Sequence, residues 1–299
     1  MSIKKTVSDG SDRSVVDDWH VSPVALRMMV GAQLRRLREA RGITLNEASD
    51  AIRASHSKIS RMELGRTGFK QRDVTDLLTL YGADDDERLR LLNLAKQTNT
   101  VGWWHEYSDV LAAGVEHCLG LEQAAGIIRT YDAQFIPDLL RTATYARAVM
   151  RLDHTDVSSA RIERRLSLLK RRQQILDRPE PVKLWVVLDE AALRRRLGGT
   201  ATMRHQLEHL IQISKRPNIT VQVMPFAAGQ AAAGGSITML RFSGQILRDV
   251  VYLEHLTSAF CLEKETDVVQ YLQVMDHLCL QAEASDMTPA ILHKILEET

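Results

Sequence analysis

Apolar residues along the first third of the chain recur at helical spacing, and the breaks fall at residues that start or stop helices. Met29, Val30, Leu34 and Leu37 predict a first helix from about Leu26, closed at Arg41-Gly42 with glycine at the C′ position. Thr44 and Glu47 have capping-box spacing ahead of Leu45, Ala48 and Ile52, which gives a second helix. Ser55 is an N-cap for a third, with Ile59 and Met62 on its inner side and an end near Gly65. Val74, Leu77, Leu78 and Tyr81 line a fourth; Asp84 and Glu87 open a fifth that carries Leu89, Leu91, Leu92 and Ala95.

After Thr98 to Thr100 the pattern becomes mixed. Helical periodicity covers 157–176, 191–197, 202–214, 264–283 and 288–297, whereas 183–188, 219–224, 236–242 and 250–254 read as strands bounded by Pro, Gly or Asn. The expected organisation is a flexible leader (1–25), a five-helix unit (26–99) and a larger α+β domain (100–299). The loop Pro225 to Gly235 is rich in small residues and is expected to be mobile.

Two short helices joined by a tight turn, the second capped by Ser and followed by Gly, have the sequence shape of a helix-turn-helix. With Ile59 and Met62 inward, a 100° step per residue turns Ser57, Ser60 and Arg61 outward, with His56 and Lys58 on the flanks. His56, Ser57 and Arg61 are therefore the candidates for base edges in a major groove, Arg61 being suited to guanine. Thr44, Asn46, Lys58, Arg66, Lys70 and Arg72 are the candidates for phosphates. Charge agrees with that assignment: residues 26–72 hold eleven Lys and Arg against four acidic residues, although the whole chain has a formal net charge of only +1.

The run LRRLREARGITLNEASDAIRASHSKISRMELGR, Leu34 to Arg66, resembles the DNA-binding domain of the XRE, or Cro/lambda-repressor-like, family. Two positions depart from it: Leu45 stands where the family often has Gln, and Arg53 where it often has Gly in the turn. GWWHEY (102–107), IRTYDAQFIPDLLRTATYARAVM (128–150), ITVQVMPFAAG (219–229) and VVYLEHLTSAFCLEKETDV (250–268) are similar to the C-terminal domain of actinobacterial XRE regulators described as antitoxin-like. The resemblance implies a repressor, without enzyme activity or cofactor, whose C-terminal domain binds a small protein encoded by a neighbouring gene. A homodimer on double-stranded operator DNA is expected, because one helix-turn-helix reads too few base pairs alone.

Other constellations point elsewhere. His205, Glu208 and His209 spell H-x-x-E-H, yet the helix they share buries Leu207, Leu210 and Ile211 and leaves them on a polar face, so no metal is expected. Ser236 and Lys264 with the Ala228-Gly229 and Ala233-Gly234 bonds have the ingredients of a self-cleaving repressor, but two long helices stand where its catalytic sheet should be. Trp103, Trp104 and Tyr107, with Phe226 and Gly229, are the weak candidates for a partner or effector site, and a small-molecule effector held between them is the alternative reading. The basic run Arg161 to Arg172 fits a solvated amphipathic helix better than a second DNA site. Cys118, Cys261 and Cys279 lack metal or CxxC spacing, and free thiols are expected. No stretch is apolar enough to span a membrane, and Met1 to Gly10 lacks a signal-peptide core, so a cytoplasmic, nucleoid-associated protein is expected.

Overall fold

The computed structural model describes residues 22–153, 158–228, 235–244, 246–254 and 258–299; the leader up to residue 21 and Gly229 lie outside them. Five helices come first: α1 (Pro23–Ala40), α2 (Leu45–Ala51), α3 (His56–Glu63), α4 (Gln71–Leu80) and α5 (Asp85–Gln97). The capping residues do what their spacing foretold. Thr44 accepts from the Glu47 amide and Glu47 reaches back to the Thr44 amide, a complete capping box. Asp84 Oδ1 accepts from the Glu87 amide at 2.7 Å, but Glu87 turns its carboxylate to Arg36 at 2.5 Å instead of back to the cap. α1 begins three residues before Leu26, with Ser22 as its N-cap and Pro23 at N1.

A mixed six-stranded sheet organises the rest, in the order β3-β2-β1-β4-β5-β6. Its strands are β1 (Ile127–Asp132), β2 (Lys183–Asp189), β3 (Ile219–Met224), β4 (Ile237–Arg241), β5 (Val250–Glu254) and β6 (Ala259–Leu262). β1, β2 and β3 run parallel, and β1-β4, β4-β5 and β5-β6 are antiparallel. The helices of this part are α6 (Val115–Ala124), α7 (Ala143–Asp153), α8 (Ser159–Gln173), α9 (Glu190–Arg194), α10 (Thr200–Ile213), α11 (Glu265–Gln281) and α12 (Thr288–Glu298). One face of the sheet packs Ile128, Val186, Val221 and Leu240 against Leu121, Tyr145, Leu207 and Leu292, contributed by α6, α7, α10 and α12. The opposite face packs Tyr131, Val187 and Met239 against Val268, Met275 and Leu278 of α11. An α-helical first unit followed by a mixed second one is the architecture the hydrophobic pattern predicts.

α1 belongs to two cores. Val30, Leu34 and Leu37 lie in the core of the five-helix unit. Val24, two turns earlier, packs into the large core beside Trp104 and Leu121. α6 receives that end of α1 at Gly120, where an added Cβ would fall 2.4 Å from Val24 Cγ2. One rigid helix thus joins the two halves.

The expectation of free thiols is corrected for two cysteines. α6 runs beside the edge strand β6, which brings Cys118 and Cys261 together as a disulfide with Cα atoms 6.3 Å apart, within the span such a bridge requires. Cys279 is free. Arg172, counted with the solvated basic face of α8, is also corrected: it is buried, with two hydrogen bonds to Glu122 at 2.9 and 3.0 Å and one to Asp138 at 2.6 Å.

Candidate nucleic-acid interface

Local chemistry fixes where α3 starts and stops. Ser55 is extended (φ −82°, ψ 150°), and its hydroxyl accepts from the Lys58 amide at 3.2 Å. Gly65, at φ +66°, lies against the α1 backbone: a Cβ there would come 2.6 Å from Met28 Cα. Such a conformation and such an approach suit glycine alone. Ile59 and Met62 are fully buried on the inner side. At Gly31 of α1 a Cβ would stand 2.5 Å from the Met62 carbonyl oxygen, so α3 is seated directly on the α1 backbone.

The inner side also carries an ion pair that the sequence pattern does not reveal. Glu63 sits among buried positions and accepts two hydrogen bonds from Arg38, Nε at 2.6 Å and Nη2 at 2.9 Å, while Arg38 Nη1 donates to the Ile43 carbonyl at 2.9 Å. This bidentate pair ties α3 to α1 and to the start of the turn before α2. Its hydrogen bonds to Glu63 raise the Arg38 guanidinium above its ordinary value despite burial. Only the burial of Ile59 and Met62 on either side of this surface gave a hint of it, since a Glu at the end of a short helix reads as solvated.

Outward, His56, Ser57 and Arg61 are all exposed in the intact chain. Ser57 Oγ lies 3.1 Å from Ser55 Oγ, which places it at the capped end of the helix. Arg61 leaves its guanidinium to solvent in the last turn. The three form one polar strip about a turn and a half long, offering an imidazole, a hydroxyl and a fork of N–H groups.

The phosphate candidates separate into two groups. Arg66, Lys70 and Arg72 are exposed, Arg72 with only a loose 3.8 Å approach to Asp76. Asn46 is exposed in the first turn of α2. Lys58, by contrast, already holds Asp73 of α4 at 2.5 Å, a partner that any phosphate must displace. Thr44 spends its hydroxyl and its amide on Glu47, at 2.8 and 2.7 Å, and those bonds hold the Glu47 carboxyl below its usual range. Arg53 occupies the turn between α2 and α3 at φ +53°, the one non-glycine residue with positive φ among the described residues. That strain is the cost its sequence position predicts, on the order of 1 kcal/mol. Arg53→Gly should gain about 0.5–1 kcal/mol in urea unfolding, and a loss of stability would show that the turn needs the arginine side chain.

The second, weaker group of candidates divides. Trp103, Trp104 and Tyr107 come together on a 3-10 turn (Trp103–Tyr107), Trp103 standing edge-on to Trp104 at 5.9 Å and to Tyr107 at 6.1 Å. α8 covers this turn with cations, Arg164 lying 4.6 Å over the Tyr107 ring and Arg171 5.7 Å over Trp103. Phe226 is elsewhere, exposed at the end of β3 with its amide bonded to Glu190. It does not line the cavity that Trp104 lines, and residues 229–234 of the 225–235 loop lie outside the described residues.

On α10, His205 and Glu208 are exposed and His209 is half-buried, its imidazole pushed down by burial and by His205. Among the described residues no three His, Cys, Asp or Glu side chains gather at metal-binding distance. The Ala228-Gly229 and Ala233-Gly234 bonds reach outside the described residues; Ser236 bonds Asp132, and Lys264 is the N-cap of α11.

Two family models match the chain. Residues 30–91 match a helix-turn-helix domain, which spans α2, α3 and the helices that hold them. Residues 115–294, more than half of the chain, match a domain of unknown function (DUF5753). The chain belongs to the DUF5753 family. No curated protein and no solved structure matches it. The DUF5753 segment begins at the first residue of α6 and takes in the whole sheet, so this member combines a helix-turn-helix DNA-binding module with a DUF5753 domain and is a DNA-binding regulator. Among the described residues no helix is long and apolar enough to cross a membrane.

Proposed function

We propose that this protein is a sequence-specific repressor that reads operator DNA with α3 as a homodimer, and that its DUF5753 domain receives a small protein encoded by a neighbouring gene. His56, Ser57 and Arg61 enter the major groove; Asn46, Arg66, Lys70 and Arg72 hold the flanking phosphates. One observation carries the reading: the polar strip of α3 stays exposed in the intact chain while the opposite strip, Ile59, Met62 and Glu63, is locked to α1. The matched helix-turn-helix segment supports the DNA-binding part of this reading. Partner binding would act by shifting the population of DNA-competent dimers, with a coupling of about 1–3 kcal/mol.

The test uses operator fragments selected from genomic DNA with the full chain. Arg61→Ala should weaken selected over random DNA by about 1–3 kcal/mol. Lys70→Ala should weaken both alike and lower the salt slope by roughly one. Gel shifts at two salt concentrations in which both variants match the parent overturn this docking. Co-purification from the native cell that recovers no small protein overturns the partner assignment and leaves the DNA reading in place.

A further inference from the structure

A cavity of about 420 Å³ lies where the two halves of the chain meet, between α1, the connector 100–114 and the first turn of α6. Val24, Trp104 and Leu111 make its apolar wall; Arg27, Glu116 and His117 are its charged or titratable groups. These three are not equivalent. His117 Nε2 is 3.2 Å from Glu263 Oε1, and Glu116 is exposed to solvent. Arg27 is half-buried and donates one hydrogen bond, from Nη1 to the Thr98 carbonyl at 3.0 Å.

The environment of Arg27 differs from that of the other buried arginines. Arg38 and Arg172 have bidentate carboxylates, Arg129 has Asp276 at 2.7 Å, and Arg178 is surrounded by three carbonyls. Among the described residues no carboxylate meets Arg27, and burial alone acts on it, pushing its guanidinium below the ordinary value. A guanidinium does not give up its proton in a protein, so the charge remains with one neutral acceptor for five N–H groups. Nearby, α6 begins at Gly114 with no side chain accepting from its first amides, which adds partial positive charge to the same wall.

We propose that this cavity binds a small organic carboxylate with an apolar body, the carboxylate on Arg27 and the hydrocarbon part against Trp104 and Leu111. The volume falls in the range that encloses small ligands, and a guanidinium presents the planar fork that a carboxylate accepts in two bonds. The walls come from α1, the connector and the first turn of α6, and α1 and α6 pack on each other where the two halves meet, so the occupant sits at that joint. Its effect on DNA rests on the regulator reading above, but its binding does not.

The experiment uses the full chain with octanoate and 4-phenylbutyrate, each paired with its primary amide, followed by tryptophan fluorescence and thermal melting. Both acids should give a saturable fluorescence change and raise Tm, and the amides should bind at least about tenfold more weakly, the discrimination of one charge-assisted pair. Arg27→Gln should erase the difference between acid and amide. Ala112→Trp, which fills the cavity from its exposed rim, should block acids and amides together while Tm without ligand stays near the parent value. The proposal falls if neither acid gives a saturable response, if acid and amide bind alike, or if Ala112→Trp binds as the parent does. Gel shifts on the ligand-free parent run in parallel: a chain that takes the acids but no DNA overturns the regulator reading and leaves the cavity assignment standing.

Discussion

Glu63→Ala should release the DNA-reading helix from its seat and cost about 3–5 kcal/mol, a large part of the stability of a unit this small. The loss comes less from the missing attraction than from what remains: Arg38, about 8% exposed, keeps its charge in the core with the Ile43 carbonyl to accept from it and, 3.6 Å from Nη2, only the half-exposed carboxylate of Glu39. The phenol of Tyr81 lies in the same interior without a hydrogen-bond partner among the described residues, pushed up by burial and by Glu63, so water drawn in beside Arg38 has a second polar group to bridge. Because α3 is one face of that core, DNA binding should fail together with folding. The double replacement Glu63→Met with Arg38→Met keeps the volume and removes both charges; it should recover most of the stability and, if the polar strip alone reads DNA, most of the affinity. Urea unfolding and gel shifts on the single and double variants check this, and equal loss in both would show that the hydrogen-bonded pair itself, not an orphaned Arg38 charge, holds α3 in place.

That pair marks the boundary of what the amino-acid pattern could reveal in the first unit. Caps, glycine stops and the buried stripe of α3 depend on neighbours three or four residues away, and those came through: Ser55, Thr44 with Glu47, Gly42 and Gly65 all hold the positions that spacing assigns. Arg38 with Glu63, and Lys58 with Asp73, join residues 25 and 15 apart, and only the packed helices bring them together.

The second unit hides its centre for a related reason. β1 is one of the two central strands of the sheet, yet Ile127–Asp132 contains Arg129, Thr130 and Asp132, which do not look like an interior. Each has a partner that arrives from far along the chain: Asp276 and the Trp185 face for Arg129, the Thr238 hydroxyl at 2.9 Å for Thr130, and Ser236 for Asp132, which also accepts from the nearby Gln134 and Phe135 amides. α6 escaped notice for the opposite reason. Cys118, Leu119, Gly120, Leu121, Glu122 and Gln123 are all buried, so no stripe stands out against a polar face. The disulfide shares the cause, since its cysteines are 143 residues apart and carry no motif.

Arg172→Met should be the most damaging change in the DUF5753 domain, by about 3–5 kcal/mol at neutral pH, and its effect should shrink in acid. Arg172 joins Glu122 of α6 to Asp138 in the turn after β1. Burial works against the charge on Asp138, but Arg141 and Arg172 outweigh it and hold its carboxyl below the ordinary value. A carboxyl lowered on folding contributes stability that is fully present above its unfolded range and is lost as pH falls through the native value. In the variant Asp138 keeps Arg141 alone, beside Glu254, whose own carboxyl is pushed up by burial and by Asp138. Part of the stability gained by Asp138 above the carboxylate range then disappears, whereas below it, with the acid groups protonated in both proteins, less separates them. Urea unfolding of parent and variant at pH 7 and at pH 2, below the ordinary carboxylate range, should therefore give a clearly larger difference at pH 7. A gap independent of pH would mean that Arg172 stabilises the domain through the packing of its stem against α6 and α8, with the carboxylates as bystanders.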